Sequence, residues 1–156
     1  MTPKTPALFL DRDGVINHDD GYVHRIEDIH YVHGIFELCR RFHRAGYALI
    51  VVTNQSGIGR GYFSAQDFER LMTAMRAAFD VAQCPLTAVY HCPHLPDAGC
   101  ICRKPQPHML LEAAATYDLD VQRSVMVGDK DSDVQAGLAA GVGRVYWLGG
   151  PQHAPQ

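Results

Sequence analysis

The segment ALFLDRDGVIN, residues 7–17, passes directly from four apolar residues into two closely spaced aspartates. A short apolar run without alternating polar residues is typical of a strand that is buried on both faces of a parallel sheet. Ligands of parallel sheets bind beyond the carboxyl ends of the strands, so Asp11 and Asp13 are predicted to lie in a functional site. Because they are two residues apart, their side chains leave an extended chain on the same face.

Four more apolar runs follow along the chain and alternate with helical patterns. The runs predicted as buried strands are residues 48–53, 88–91, 124–128 and 144–148. The helical patterns begin at Ile35, after the capping residue Ser64, at Pro107 and at Ser132, and Gly46 and Gly141 mark the ends of the first and the last. This alternation predicts an α/β fold with a central five-stranded parallel sheet flanked by helices.

The composition is that of one globular domain, predicted over residues 1–150 and followed by a loose tail, residues 151–156. Of the 156 residues, 47% are hydrophobic and 20% are charged, and the formal net charge is -3. The lysines and arginines are scattered, so we expect no nucleic-acid partner. No apolar run has the length of a signal peptide or a membrane span, so we expect no membrane association and a cytoplasmic location. A compact domain without an apolar surface helix is expected to be a monomer.

Polar residues also follow the other central strands, where they are predicted to meet the two aspartates. These residues are Thr53, Asn54 and Gln55 after the second strand, Lys104 in the loop after the third, and Asp129 and Lys130 after the fourth. A carboxylate can attack phosphorus, and a second carboxyl group can protonate the leaving oxygen and later deprotonate water. Mg²⁺ prefers oxygen ligands, which Asp11, the main-chain carbonyl of Asp13 and Asp129 can supply. The pattern therefore predicts a magnesium-dependent site for phosphoryl transfer.

The loop CPHLPDAGCIC, residues 92–102, has two pairs of metal-binding residues. They are Cys92 with His94 and Cys100 with Cys102. Four such ligands with no position left for water favour structural Zn²⁺ over catalytic Zn²⁺, and ordinary reduced thiols are the remaining alternative. Because Cys102 directly precedes Arg103 and Lys104, a bound Zn²⁺ is predicted to fix both cations in place. The other two cysteines, Cys39 and Cys84, are predicted to be buried thiols.

Four segments resemble, in order, the four motifs of the haloacid dehalogenase (HAD) superfamily of phosphatases. They are DRDGVIN (11–17), VVTNQSG (51–57), RKPQP (103–107) and VGDKDSD (127–133). The resemblance implies a Rossmann-like sheet with strand order 5-4-1-2-3. It also implies the following roles: Asp11 as the nucleophile, Asp13 as the general acid and base, Thr53 and Lys104 as phosphoryl-binding catalytic residues, and Asp129 as a magnesium ligand.

The segment 15–34, which we call the flap, is too short for a lid domain, so the site is expected to be capless and open. Capless HAD enzymes with such a cysteine and histidine loop resemble the branch of heptose bisphosphate and histidinol phosphate phosphatases. TNQSGIGRGYF (53–63) is similar to the heptose enzymes, and Arg60 and Arg103 could bind the second anion of a sugar bisphosphate. The resemblance implies removal of the 7-phosphate of D-glycero-D-manno-heptose 1,7-bisphosphate. Further predicted substrate contacts are Asp19, Tyr22, Asn54, Gln55, Ser56 and Lys130.

Three alternatives remain open from the sequence. Within the same branch, the substrate could be histidinol phosphate. Outside enzymes, the chain could be a phosphoacceptor without turnover or a zinc-binding interaction module, but Asp13 as an acid and base argues for turnover. Asp133 has two equally weighted interpretations, as a functional residue or as a residue that only supports the loop and the start of its helix.

Overall fold

The computed structural model describes residues 3–148 and consists of a five-stranded sheet with helices on both sides. The strands are β1 (Ala7–Leu10), β2 (Ala48–Asn54), β3 (Ala88–Cys92), β4 (Val125–Gly128) and β5 (Arg144–Trp147). The helices are α1 (Ile35–Arg44), α2 (Ser56–Gly59), α3 (Ala65–Val81), α4 (His108–Tyr117) and α5 (Asp131–Ala140). Two short 3₁₀ turns lie at Ile26–Asp28 and Val121–Arg123. The predicted tail, residues 151–156, lies outside the described residues.

All strand pairs are parallel, and the order β3-β2-β1-β4-β5 confirms the predicted topology. Strand β1 is central, with Leu10 paired to Val51 of β2 and to Val127 of β4. Their carboxyl ends therefore lie side by side, and the loops that follow all three strands meet at one edge of the sheet.

Alternate residues of β1 enter two separate cores. Leu8 and Leu10 pack with α1 and α3, while Ala7 and Phe9 pack with α4 and α5. All four side chains are fully buried, which explains why the sequence of β1 is apolar throughout. This packing on both faces fixes the direction in which the chain enters the site at Asp11.

The prediction that all five strands are buried is wrong for the two edges of the sheet. Residues of β5 are mostly exposed, with Trp147 at 57%, and the middle of β3 is only partly buried. An edge strand packs against one neighbour instead of two, and the apolar run in the sequence does not reveal this position. Among residues 3–148, the structure has no helix that is both long and apolar enough to cross a membrane.

Helix boundaries follow the predicted capping residues. The Ser64 side chain accepts a hydrogen bond from the Asp67 backbone N–H at 3.0 Å. The Asp67 side chain in turn accepts one from the Ser64 backbone N–H at 2.9 Å. This reciprocal pair satisfies two backbone donors at the start of α3. Gly46 and Gly141 follow α1 and α5 with φ angles of 91° and 85°, which are costly for other residues.

Candidate active site

A cavity of about 380 Å³ lies at the carboxyl edge of the sheet, beyond β1 and β2. Its charged lining consists of four carboxylates and four cations: Asp11, Asp13, Asp19, Asp133, Arg60, Arg103, Lys104 and Lys130. Uncharged lining residues include Tyr22, Asn54, Gln55 and Ser56. All eight predicted substrate contacts thus line one cavity together with Asp11, Asp13 and Lys104.

Lys104 is the buried cation at the floor of this site, with a side chain that is 2% exposed. Its Nζ donates to Asp11 Oδ1 at 2.9 Å, to Asp133 Oδ1 at 2.5 Å and to the Val52 carbonyl at 2.8 Å. All three ammonium protons are therefore used, and one of them is directed at the predicted nucleophile. Burial opposes the charge, but the carboxylates of Asp11 and Asp133 outweigh it and raise the pKa of Lys104.

Asp11 is 6% exposed and carries a strongly shifted pKa. Burial raises the pKa of Asp11 to about 8, against the opposing charge of Lys104. Burial also raises the pKa of Asp129, whose side chain is hydrogen-bonded to Asp11. A proton or a cation between two such carboxyl groups offsets their repulsion.

One carboxylate oxygen each of Asp11, Asp129 and Asp133 lies within 4.8 Å of the other two. A Cβ atom at Gly14, which has a φ angle of 91°, would collide with the Asp129 carboxylate, so only glycine leaves room for this side chain. Asp133 is already bonded to Lys104 and to the backbone N–H groups of Asp129 and Lys130, at 3.2 and 3.1 Å. This oxygen-rich donor set fits Mg²⁺, and Asp11 and Asp129 are the carboxylates that would bind it.

Thr53 and Asn54, the last two residues of β2, and Gln55, which follows the strand, have different placements. The Thr53 hydroxyl is buried, outside the cavity lining, and accepts a hydrogen bond from Gln55 Nε2 at 2.8 Å. The Asn54 amide pairs with the backbone of Lys104, accepting at 3.0 Å and donating at 3.1 Å. Asn54 therefore fixes the loop that carries Lys104, in addition to lining the cavity.

Two predicted substrate residues of the flap, Asp19 and Tyr22, line the cavity. Tyr22 lies under the Arg60 guanidinium at 5.9 Å and forms an edge contact with Tyr62, with ring centroids 4.9 Å apart. Asp19 lies 3.8 Å from Lys130, and both side chains are well exposed. An exposed ion pair contributes little stability, so a bound anion can replace Asp19 as the partner of Lys130 at small cost.

The four predicted metal ligands of the loop after β3 come together. Cys92 Sγ lies 3.4 Å from His94 Nδ1, 3.6 Å from Cys100 Sγ and 2.8 Å from Cys102 Sγ, and His94 Nδ1 lies 3.2 Å from Cys102 Sγ. All four atoms lie within 4.8 Å of one another, so the cluster can hold a metal ion. Cys39 and Cys84, outside the cluster, are buried free thiols as predicted.

The sequence did not reveal two contacts in the site: that of Arg12 with Asp13 and that of Asp133 with Lys104. Arg12 is fully buried and contacts the Asp13 carboxylate, yet its position between two aspartates was its only signal. Asp133 does cap the start of α5, but it also pairs with Lys104, 29 residues away. A pairing over this distance depends on the folded loops and leaves no local pattern.

Comparisons with known proteins give a consistent result. Residues 101–155 match the HAD-hydrolase-like family. A D-glycero-alpha-D-manno-heptose-1,7-bisphosphate 7-phosphatase of Campylobacter jejuni is 52% identical over 140 residues, 90% of this chain and 80% of the relative. A D-glycero-beta-D-manno-heptose-1,7-bisphosphate 7-phosphatase of Escherichia coli K12 is 45% identical over 150 residues, 92% of this chain and 78% of the relative.

A solved structure agrees with these relatives in fold. The D,D-heptose 1,7-bisphosphate phosphatase of B. bronchiseptica, complexed with magnesium and phosphate, superposes with a TM-score of 0.83 and 35% sequence identity. The match covers 89% of this chain and 78% of the other. The likeness in fold therefore extends over most of this chain.

Proposed function

Because this chain belongs to the heptose-1,7-bisphosphate 7-phosphatase family of the HAD superfamily, we propose that it removes the 7-phosphate of D-glycero-D-manno-heptose 1,7-bisphosphate in a magnesium-dependent reaction. One observation carries the proposal. The cavity that contains Asp11, Asp13 and Lys104 is also lined by Arg60, Arg103 and Lys130. It thus combines the groups for phosphoryl transfer with cations for a second phosphate.

In the first half of the proposed reaction, an Asp11 oxygen attacks the phosphorus of the 7-phosphate. A bond forms between this oxygen and phosphorus while the bond between phosphorus and the sugar oxygen breaks. Asp13 donates its proton to the leaving oxygen, so the heptose departs as an alcohol that still carries its 1-phosphate. Lys104, bonded to Asp11 at 2.9 Å, offsets negative charge at the nucleophile.

In the second half, water attacks the phosphorus of the aspartyl-phosphate while Asp13 accepts a proton from it. Inorganic phosphate leaves, and Asp11 regains its carboxylate. Mg²⁺, bound by Asp11, Asp129 and the Asp13 main-chain carbonyl, would neutralise phosphate charge and orient the ester. Thr53 is proposed to donate to a phosphoryl oxygen, which requires its hydroxyl to turn from the Asn54 carbonyl, 3.5 Å away.

The second phosphate is proposed to bind Arg60 and Arg103. Nη1 of Arg103 is buried without a hydrogen-bond partner within residues 3–148, and a buried unpaired donor is costly. A phosphate oxygen would satisfy this nitrogen. Arg60, bonded to Ser56 at 3.4 Å and stacked on Tyr22, could contribute a second donor.

Replacement of Arg60 by methionine tests this anion site. We expect kcat/KM for heptose 1,7-bisphosphate to fall by about 10- to 100-fold, since a charge-assisted hydrogen bond contributes about 1.5–3 kcal/mol. The matched substrate is heptose 7-phosphate, which lacks the 1-phosphate and should lose less than about threefold. Equal losses for both substrates would show that Arg60 does not bind the 1-phosphate.

The substrate itself is tested by steady-state kinetics on four compounds with Mg²⁺ present: histidinol phosphate, fructose 1,6-bisphosphate, and the α and β anomers of heptose 1,7-bisphosphate. The names of the relatives cover both anomers and favour the heptose reaction over the histidinol phosphate alternative. We expect at least one anomer to exceed histidinol phosphate in kcat/KM by about 100-fold or more. A preference for histidinol phosphate would overturn the assignment.

We further propose that the cluster of Cys92, His94, Cys100 and Cys102 binds structural Zn²⁺. Ligand atoms of a tetrahedral zinc site with bonds of about 2.0–2.3 Å lie roughly 3.3–3.8 Å apart, and two of the four separations fall in this range. The two shorter ones involve Cys102 and would lengthen as the ion binds. The ion would stabilise the loop that ends in Lys104.

Replacement of Cys100 by serine tests the zinc site. We expect zinc content, measured by mass spectrometry of the purified protein, to drop from about one ion per chain, and kcat/KM to fall about 10- to 100-fold because Lys104 is displaced. The loss should not be complete, since Asn54 also holds the Lys104 backbone. Cys84→Ala, which removes a buried thiol outside the cluster, should keep both zinc and activity. A zinc-free variant with unchanged turnover would contradict the proposal.

Residues 1–150 are proposed to form one domain that acts as a cytoplasmic monomer. The single sheet of residues 3–148 supports one domain. Light scattering after size-exclusion chromatography should give a mass near 17.3 kDa. The mass of a dimer would contradict the proposed monomer.

A further inference from the structure

Arg12 lies between the two catalytic aspartates in sequence, and its side chain is completely buried. Its guanidinium contacts the Asp13 carboxylate through three hydrogen bonds, from Nε to Oδ1 at 3.2 Å and from Nη2 to Oδ1 and Oδ2 at 3.0 and 3.1 Å. A buried arginine is rare unless it is paired, and here its partner is the proposed acid and base. None of the steps proposed above uses Arg12.

Two further side chains donate to the same carboxylate. Asn17 Nδ2 donates to Asp13 Oδ1 at 3.0 Å, and Gln55 Nε2 donates to Asp13 Oδ2 at 3.1 Å. Both oxygens of Asp13 thus accept hydrogen bonds from side chains. The donors are Arg12 in the loop after β1, Asn17 in the flap and Gln55 in the loop after β2. We call Arg12, Asn17 and Gln55 the Asp13 clamp.

The members of the Asp13 clamp are themselves fixed from several directions. Arg12 Nη2 also donates to the Val23 carbonyl of the flap at 2.7 Å, and the guanidinium lies 5.9 Å from the Phe68 ring of α3. Gln55 Nε2 also donates to Thr53 Oγ1 at 2.8 Å. The position of the Asp13 carboxylate is therefore tied to the flap, the core and the end of β2.

We propose that Arg12 and Gln55 are positioning residues that keep the Asp13 carboxyl group aimed at the leaving oxygen of the substrate. The inference rests on the proposed phosphatase function and assigns new roles within it. Proton transfer requires a separation of about 2.6–3.2 Å between the carboxyl and leaving oxygens, and a freely rotating side chain would rarely meet it. The fork of a guanidinium fixes a carboxylate in two dimensions, which a single ammonium does not do.

The dependence on the leaving group tests this positioning role directly. An alkyl ester, such as the 7-phosphate of the heptose, needs protonation of its leaving oxygen, whereas p-nitrophenyl phosphate releases a weakly basic phenolate. In Arg12→Met and in Gln55→Leu, we expect kcat/KM for the alkyl ester to fall about 100-fold. For p-nitrophenyl phosphate it should fall less than about fivefold. Asp13→Asn should show the same selective pattern at greater magnitude.

A double-mutant cycle supplies the second readout. If Arg12 acts through Asp13, then Arg12→Met in an Asp13→Asn background should cause no further loss of alkyl-ester hydrolysis. Arg12→Lys should restore part of the activity of Arg12→Met, since it returns the charge without the fork. The matched control is Arg40→Met, which removes a half-buried arginine that bonds to Ala82 and Glu37 and should leave both activities unchanged.

Equal losses of kcat/KM on both substrates, or additive losses in the double-mutant cycle, would show that Arg12 and Gln55 only stabilise the structure. Either result would overturn the inference. If Arg12→Met does not fold, Gln55→Leu decides the outcome in the same double-mutant cycle. Loss of a sugar contact by Gln55, which lines the cavity, would add to the loss in Asp13→Asn, whereas loss of positioning would not. Failure of the proposed function has a different signature. The wild-type protein would then cleave other alkyl phosphates in preference to heptose bisphosphate, and the clamp would be tested on whichever of them it cleaves.

Discussion

Asp11→Asn should abolish turnover, with kcat lower by about 10⁴-fold or more, because an amide cannot form the acyl-phosphate. Stability should not fall in parallel. Burial raises the pKa of Asp11 to about 8, so the cost of burying its charge offsets much of the gain from its pairing with Lys104. When Asp11 becomes a neutral amide, Lys104 keeps Asp133 as its buried anionic partner. Steady-state kinetics and urea unfolding in the presence of a chelator measure the two effects separately.

A neighbouring substitution provides the control for the Asp11 experiment. Asp19→Asn also neutralises a carboxylate that lines the cavity, but Asp19 lies on the flap and its only contact with a cation among residues 3–148 is the exposed pair with Lys130. It should lower kcat by less than about tenfold. If Asp11→Asn kept more than a small fraction of the wild-type kcat, the nucleophile would have to be a different group.

Lys104→Met should be the most destabilising single change in the site. It leaves the buried carboxylates of Asp11 and Asp133 without their shared cation, and removal of one partner from a buried ion pair costs about 3–5 kcal/mol. The free energy of unfolding, measured by denaturant titration in a chelator, should fall by this amount. At concentrations of Mg²⁺ that keep the variant folded, kcat/KM should still be about 100- to 1000-fold lower, since Lys104 donates to the attacking group.

Lys130→Met is the matched control for Lys104. It removes a lysine from the same cavity, but its side chain is 60% exposed and lies 3.8 Å from Asp19. Exposed ion pairs contribute about 0–1 kcal/mol, so the unfolding free energy should change by no more than this. Equal stability of Lys104→Met and the wild type would refute the view that Lys104 neutralises two buried carboxylates.

The sequence predicts the central part of the fold well because β1, β2 and β4 are buried on both faces. Burial on two faces produces unbroken apolar runs, and polar residues then appear where each strand ends, at Asp11, Thr53 and Asp129. The strand order came from resemblance to a family, since local patterns do not contain it. The same resemblance placed β3 and β5 at the edges, but their apolar runs did not indicate that these strands are partly exposed.

The candidate site was predicted as a set of residues but not as a set of contacts. Residues at the carboxyl ends of neighbouring parallel strands must meet, so Asp11, Thr53 and Asp129 could be placed at one edge of the sheet without a structure. Which donor bonds to which acceptor depends on the side-chain rotamers of residues that are far apart in sequence. Lys104 and Asp11, for example, are separated by 93 residues. Gln55 illustrates the limit, since its predicted place at the cavity did not reveal that its side chain bonds to Asp13 and Thr53.

A rapid acid quench of Asp13→Asn with p-nitrophenyl phosphate, radiolabelled in its phosphate group, tests the aspartyl-phosphate most directly, because this leaving group needs no proton from residue 13. This variant lacks the base that activates water, so the intermediate should accumulate during the first turnover. We predict acid-stable label on the protein, and reduction with borohydride should convert residue 11 to homoserine. Release of labelled phosphate with no labelled protein at any quench time would contradict the account, because water would then attack the ester directly.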